Sequence, residues 1–314
     1  MLGIVILNYN TANLTANCIK SIIDTYNGEF RIYVIDGGST DDSVIILKKL
    51  YKGSNIIKII QIYENRGFSY GNNRGAEMAI KEGCTRILIT NSDIIFYKDA
   101  IQNLMDAFQK HKDTALVFPC VYNKGDILQS NDIVIKRRSW LDILIYENIF
   151  SDFIPKAIKN KAKQPIEECI EDTQSFYFEG CCFLVDSLKF YEVEMLDENI
   201  FLYGEESILS EKFVEKNYKM FYVPTSQVLH LRGASSEGIS RAEKSYICLR
   251  SKLYFWYKYK KFPKLLDWLI VKGGLLILRI RYRKIEGITQ LHHKYKVDLL
   301  KYMAELHKQN RILI

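Results

Sequence analysis

Five side chains in this sequence have the chemistry of a metal or proton-transfer site, and each stands where a run of apolar residues gives way. Asp36 closes such a run in YVIDGGSTDDS, Asp93 follows one in ILITNSDIIF, and His230 ends one in VLHLRGAS. Glu205 and Glu206 lie between LDENIFLY and a helical pattern. Carboxylate oxygens and an imidazole nitrogen suit Mg2+ or Mn2+. A glutamate with its ordinary pKa of about 4.3 is ionised at neutral pH and can take a proton from a hydroxyl. Any one of these residues alone reads as a helix cap or a turn residue. Gathered on one rim of a sheet, they read as a site for a metal and a nucleotide.

The elements that must place them follow from hydrophobic periodicity. Short β-branched runs occur at Ile4–Leu7, Ile32–Ile35, Ile56–Ile62, Ile87–Ile89 and Leu116–Phe118. Helical patterns lie between them at Leu14–Tyr26, Asp42–Leu50, Asn72–Glu82 and Asp99–His111. This alternation predicts βαβ units and a mostly parallel sheet flanked by helices, whose ligands bind at the carboxyl ends of the strands. Residues 124–172 are polar and irregular, and predict loops that cover the site. Beyond them the pattern predicts a strand over Phe176–Val185, a helix over Glu206–Asn217, and two strands, Met220–Val223 and Val228–Leu231. The glycine-rich piece NRGFSYGNNRG, Asn65–Gly75, fits neither a P-loop nor GxGxxG and predicts a turn between strand and helix.

These motifs, in this order, resemble the family-2 glycosyltransferases of GT-A fold, in particular their bacterial rhamnosyltransferase-like branch. IVILNYNT resembles the family's first strand, and YVIDGGSTDDS is similar to its V-D-N-G-S-x-D-x-S segment, with Gly37 where Asn is usual. ENRGFSYGNNRG matches the N-x-G-F-x-x-G-N-N-x-G stretch, and LITNSDIIF takes the place of the D-x-D-like motif. FEGCCFLVD, LDENIFLYGEES and VPTSQVLHLRGAS resemble the later segments, so the resemblance spans residues 4–240.

The resemblance implies a nucleotide-diphospho-sugar transferase fold with a role for each matching residue. Asp36 would bond the pyrimidine ring of the donor, with Asn8, Asn10 and Thr11 beside it. Asn65, Gly67, Gly71, Asn72 and Ser92 would line the nucleotide and sugar pocket. Asp93 and His230 would bind Mn2+ or Mg2+ on the diphosphate. Glu206 would be the general base, and Glu205 would orient it or the acceptor. The implied partners are a UDP-, dTDP- or GDP-linked sugar and a glycan or lipid-linked acceptor in surface polysaccharide synthesis. A single displacement with no enzyme nucleophile would invert the anomeric centre. Asn91 stands where the first acid of D-x-D is expected, Glu206 replaces the commoner Asp, and Ile208 falls where a further Asp is frequent. Those departures keep a non-catalytic member of the same fold as an alternative. A sugar nucleotidyltransferase is a weaker one, because NYNTAN lacks the glycine-rich, basic loop such an enzyme needs after its first strand.

Composition bounds the rest. The 314 residues carry a net charge of +7, unevenly distributed. From Arg241 onward there are 18 Lys and Arg against 5 Asp and Glu, so a basic tail follows an acidic body. A body short of basic residues argues against nucleic acid as partner. The expected organisation is a transferase domain over 1–240 and a basic helical tail over 241–314. The tail's WLIVKGGLLILRIRYRK is apolar but broken by Lys272 and Arg279, too short to span a bilayer and suited to its interface. Seven cysteines, odd in number and without CxxC spacing, fit neither a disulfide scaffold nor a zinc ribbon. With no basic leader before the first strand, the expectation is a reduced, cytoplasmic protein, peripheral on the inner face of the cell membrane.

Overall fold

The computed structural model describes residues 1–130, 132–137, 163–231, 240–260, 267–284 and 287–312. These fall into two compact units. The first holds the described residues of Met1–Arg137, Ala162–Phe201 and Glu205–Glu237; the second holds those of Leu202–Gly204 and Gly238–Ile314.

The first unit begins with strand–helix alternation: β1 (Leu2–Asn8), α1 (Ala12–Thr25), β2 (Phe30–Asp36), α2 (Ser43–Leu50), β3 (Ile57–Gln61), α3 (Phe68–Lys81) and β4 (Arg86–Asn91). Then come β5 (Ile94–Phe96), α4 (Ala100–Lys110), β6 (Thr114–Asn123), β7 (Ile127–Leu128), β8 (Asp132–Val134), β9 (Lys163–Pro165) and β10 (Thr173–Ser175). The unit ends with β11 (Cys182–Asp186), α5 (Ser187–Glu192), α6 (Glu205–Glu215) and β12 (Lys219–His230). The main sheet runs β10-β12-β6-β11-β4-β1-β2-β3. β3, β2, β1 and β4 are parallel neighbours, β11 is antiparallel to both β4 and β6, and β12 is parallel to β6. The carboxyl ends of β1, β2, β4 and β12 therefore lie on one rim, as the mostly parallel α/β reading requires.

The central strands are apolar on both faces because helices cover both. Ile4 and Ile6 pack with Ile19 and Ile22 of α1 and Leu104 of α4, while Val5 between them packs with Ala76 and Ala79 of α3 on the other face. All of these are fully buried, the pattern of a sheet enclosed by helices.

Three local expectations are corrected. β12 is one strand of 12 residues, not two, because a bulge between Val223 and Gln227 absorbs Pro224. Such a bulge tolerates a residue with no N–H to give. The strand expected from Phe176 starts only at Cys182. Helix α3 starts at Phe68 rather than Asn72, so Gly71 as well as Gly75 lies inside the helix. They let α3 press on the sheet: a Cβ at Gly75 would meet Val5 Cγ1 at 2.4 Å, and one at Gly71 would meet Leu7 Cδ1 at 2.4 Å. Within the loops expected over 124–172, residues 131 and 138–162 lie outside the described residues.

The second unit contains three helices, α7 (Arg241–Tyr259), α8 (Asp267–Arg281) and α9 (Ile288–Ile312), each in contact with the other two. Ser240 caps α7 by accepting from Glu243 N at 3.1 Å. Tyr246 stacks on Tyr295 with ring centroids 4.7 Å apart, and its hydroxyl meets His292 Nδ1 at 2.7 Å. On α8, Val271, Leu275 and Leu278 are buried, whereas Lys272, Leu276, Arg279 and Ile280 are exposed. Among the described residues, no helix is long and apolar enough to cross a membrane.

The tight helix–sheet approach is testable. Gly75→Ala should lower stability by about 1–2 kcal/mol, because the clash with stiff β-branched neighbours outweighs the gain in helix propensity. Urea unfolding followed by circular dichroism measures this; an unchanged midpoint would mean the sheet yields freely at Val5.

Candidate active site at the strand ends

Parallel pairing sets Asn8 of β1 beside Asp36 of β2. Both are completely buried. A carboxylate taken out of water must be compensated by donors, and Asp36 is: Oδ2 accepts from Asn8 Nδ2 at 2.7 Å and from the Ser39 hydroxyl at 2.6 Å, and Oδ1 from Ser39 N at 2.9 Å. Asn8 Oδ1 accepts in turn from Thr15 Oγ1 at 2.7 Å and Thr11 Oγ1 at 3.1 Å. The Thr11 and Ser92 hydroxyls meet at 3.0 Å, which ties this loop to the turn carrying Asp93.

The residues expected to line a nucleotide pocket thus divide. Asn8, Thr11, Asp36, Asn72 and Ser92 are buried. Asn10 and Asn65 are exposed on the rim. Asn10 exchanges bonds with Thr40, and Asn65 Oδ1 accepts from Gly67 N at 3.0 Å. A Cβ at Gly71 would press on the Leu7 side chain, so this glycine lets α3 approach the sheet. Gly67 has φ +95°, and a Cβ there would lie 2.1 Å from the Phe201 carbonyl oxygen, so the turn closes against residue 201 only with glycine.

Asp93 follows β4 and His230 ends β12; the two segments meet because β5 pairs with β12 and Leu231 N donates to Asp93 O at 2.9 Å. Asp93 Oδ1 is buried and accepts no hydrogen bond among the described residues, yet His230 Nε2 lies 3.2 Å away. His230 Nδ1 meets Gln129 Oε1 at 2.7 Å. Two donor atoms bound side by side to an octahedral cation at 2.0–2.1 Å stand about 3 Å apart, so the orphaned oxygen and the imidazole fit a shared divalent ion. Among the described residues no cluster of three or more His, Cys, Asp or Glu is assembled for a metal. Among the described residues, Asp93 and His230 are thus the two ligands this site offers. The nearby thiols do not add to them: burial pushes Cys18 and Cys181 well above the usual thiol range and Cys182 up to about 12.

Glu205 and Glu206 open α6, in its first turn. Glu205 is 6% exposed, with Oε2 buried and without a hydrogen-bond partner. Burial first, and the charge of Glu206 second, raise its pKa well above the carboxylate range. Glu206 is half-buried and lies over Gly180, where a Cβ would meet its Oε1 at 2.3 Å. Gly180 is a site residue that the sequence reading missed; its only signal was a small residue ahead of CCFLVD. Ile208, where the resemblance implies a further acid, is fully buried in the core. The segment after Leu231, residues 232–239, lies outside the described residues.

Residues 3–186 match the family described as Glycosyl transferase family 2. The chain belongs to glycosyl transferase family 2. Among curated relatives, it is similar to glycosyltransferase GlyG of Streptococcus pneumoniae serotype 4, 27% identical over 39% of this chain and 40% of that protein. It also resembles the chondroitin synthase of Escherichia coli, at 25% over 45% of this chain and 19% of the synthase. A PGL/p-HBAD biosynthesis glycosyltransferase of Mycobacterium bovis matches at 25% over 41% of this chain and 47% of its own length. The matches thus span less than half of each relative. The solved structure of GalNAc-T7 with UDP, GalNAc and Mn2+ superposes with a TM-score of 0.59 over 83% of this chain and 49% of that chain, at 15% identity. The fold is therefore GT-A-like.

The Glu205 carboxyl gives a pH prediction. Its pKa is raised on folding, so its contribution to stability is full below the unfolded value of about 4.3 and fades as pH rises towards the folded value. Glu205→Gln, which has no proton to lose, should gain in melting temperature relative to the unmodified chain between pH 4 and pH 8. Parallel pH profiles would show that Glu205 is ionised in the folded protein.

Proposed function

We propose that this family-2 glycosyltransferase moves a sugar from a UDP-, dTDP- or GDP-linked donor to a hydroxyl of a glycan or lipid-linked acceptor, with inversion. The observation that carries this reading is the orphaned Asp93 Oδ1 facing His230 Nε2 at 3.2 Å, beside the Asp36–Asn8–Thr11–Ser92 network. Asp93 and His230 would hold Mn2+ or Mg2+, and the GalNAc-T7 structure with UDP and Mn2+ supports looking for that ion here. When bound, the ion supplies positive charge to the departing diphosphate, a stabilisation worth several kcal/mol.

The chain's own residues do the remainder. Asp36 and Asn8 fix the loop that receives the nucleotide base, with Asn10 and Asn65 on the solvent side. Glu206 takes the proton of the acceptor hydroxyl as the bond to the anomeric carbon forms and the nucleotide diphosphate leaves. Glu205, buried behind it, orients the base or the acceptor. The resemblance to the rhamnosyltransferase-like branch makes a rhamnosyl donor the first sugar to try, and surface polysaccharide synthesis the role.

The basic tail supports a peripheral place on the inner face of the cell membrane. Lys272, Leu276, Arg279, Ile280 and Arg283 are exposed at helical spacing, mixing cationic and apolar groups as an interfacial helix does.

Two outcomes test the reading. In donor turnover with Mn2+, across UDP-, dTDP- and GDP-sugars, Glu206→Gln should lose roughly 10²-fold or more in kcat with nucleotide affinity unchanged; normal turnover would remove the base. Reversing Lys272, Arg279 and Arg283 to Glu should weaken binding to anionic vesicles on the order of 100-fold, at about 1 kcal/mol for each basic residue. Equal sedimentation of both proteins with those vesicles would put the contact elsewhere.

A further inference from the structure

Behind His230 stands a line of polar side chains that the transfer reaction does not itself require. Gln129, just after β7, holds His230 Nδ1 at 2.7 Å through Oε1. Its Nε2 donates to Glu179 Oε2 at 2.6 Å. Glu179 Oε1 accepts from the Ser130 hydroxyl. Glu179 is next in sequence to Gly180, which carries Glu206 above it. All of these residues belong to the first unit.

The direction of each bond is fixed by chemistry. An ionised carboxylate only accepts, so the amide of Gln129 must turn its NH2 to Glu179 and its oxygen to His230. An amide oxygen also only accepts, so the proton of the imidazole must sit on Nδ1. In the neutral ring the lone pair then lies on Nε2, the atom 3.2 Å from the orphaned Asp93 Oδ1. Without a cation, this contact needs a second ring proton on Nε2 to pair with Asp93; with Nε2 bare, the two acceptors repel unless one cation is shared by both.

We propose that Gln129 and Glu179 are positioning residues. They hold His230 in the Nδ1–H form and so aim a lone pair from Nε2, together with Asp93 Oδ1, at one divalent cation. This rests on the reading of Asp93 and His230 as cation ligands and deepens it. Both act through His230. Setting the ligands' orientation in advance strengthens the site that Asp93 and His230 form, and loss of such an outer partner costs about 10–100-fold in metal affinity.

The test uses the full chain, with Mn2+ as probe, alone and with uridine diphosphate. Gln129→Leu should weaken Mn2+ binding about 10–100-fold by electron paramagnetic resonance titration. Its melting temperature and its affinity for metal-free uridine diphosphate should stay unchanged. The exchange Gln129→Glu with Glu179→Gln reverses the pair while keeping an acceptor against Nδ1–H, and should restore Mn2+ affinity. Independently of any variant's folding, nitrogen NMR of the metal-free chain should show His230 protonated on Nδ1, with the signal assigned by its loss in His230→Asn. A proton on Nε2 instead, or wild-type Mn2+ affinity in Gln129→Leu, overturns the proposal. Asp93→Asn separates the two failures: if it loses Mn2+ while Gln129→Leu does not, the positioning role alone is wrong. If Asp93→Asn also binds normally, the cation reading falls and this inference with it.

Discussion

A buried carboxylate cannot be left unpaired, and much of the strand-end rim is built around one. Asp36 has no exposed surface, and its partners stand at two strand-to-helix connections: Asn8, the last residue of β1, and Ser39 in the loop after β2. Removing any of these donors would strand charge in a low dielectric, where each unpaired polar group costs far more than an exposed bond returns. The network has to close, so it fixes both loops. Through Asn8 and Thr11 it reaches Ser92, and so sets the turn on which Asp93 sits. The parallel register places the two loops side by side; the hydrogen bonds make that placement rigid.

The two acidic positions of the site solve opposite problems. Asp36 is buried with donors from Asn8 and Ser39 around it. Glu205 is buried with no donor for Oε2 among the described residues, beside a second carboxylate, and burial raises its pKa well above the carboxylate range. Both follow from one rule: burial penalises charge, and only local donors or cations decide whether that penalty is met. Adjacent in sequence, Glu205 and Glu206 have different surroundings: the first is buried and the second half-buried. Helix α6 makes this possible by pointing Glu205 inward and leaving Glu206 over Gly180. The helix dipole favours negative charge at this end, but for Glu205 it is outweighed by desolvation.

Much of the architecture could be read from the sequence, because hydrophobic periodicity is a local property. The runs at Ile4, Ile32 and Ile87 became β1, β2 and β4, and the helices between them followed within a few residues. Strand-end placement of Asp36, Asp93 and His230 came with them, since a parallel sheet puts those ends on one rim. The glycines of Asn65–Gly75 were misplaced for a physical reason. Glycine ordinarily marks a turn, but here Gly71 and Gly75 are inside a helix, demanded by the closeness of Leu7 and Val5 rather than by backbone angle. The two strands expected near Pro224 fused into one because a bulge can absorb proline, which no periodicity signals.

The sequence by itself determined the kinds of residues available, their order, and the sheet that gathers them. Which of them face solvent was decided only in three dimensions, where long-range partners are brought together. Asn8 and Thr11 became frame, and Asn10 stayed at the surface, because of bonds to residues about 30 or 80 positions away. Gln129 and Glu179 carried no mark in the sequence; they gained a role when β12 brought His230 to Gln129, 101 positions apart. A hydrogen bond needs an atom within about 3 Å in a particular direction, and separation along the chain says nothing of that.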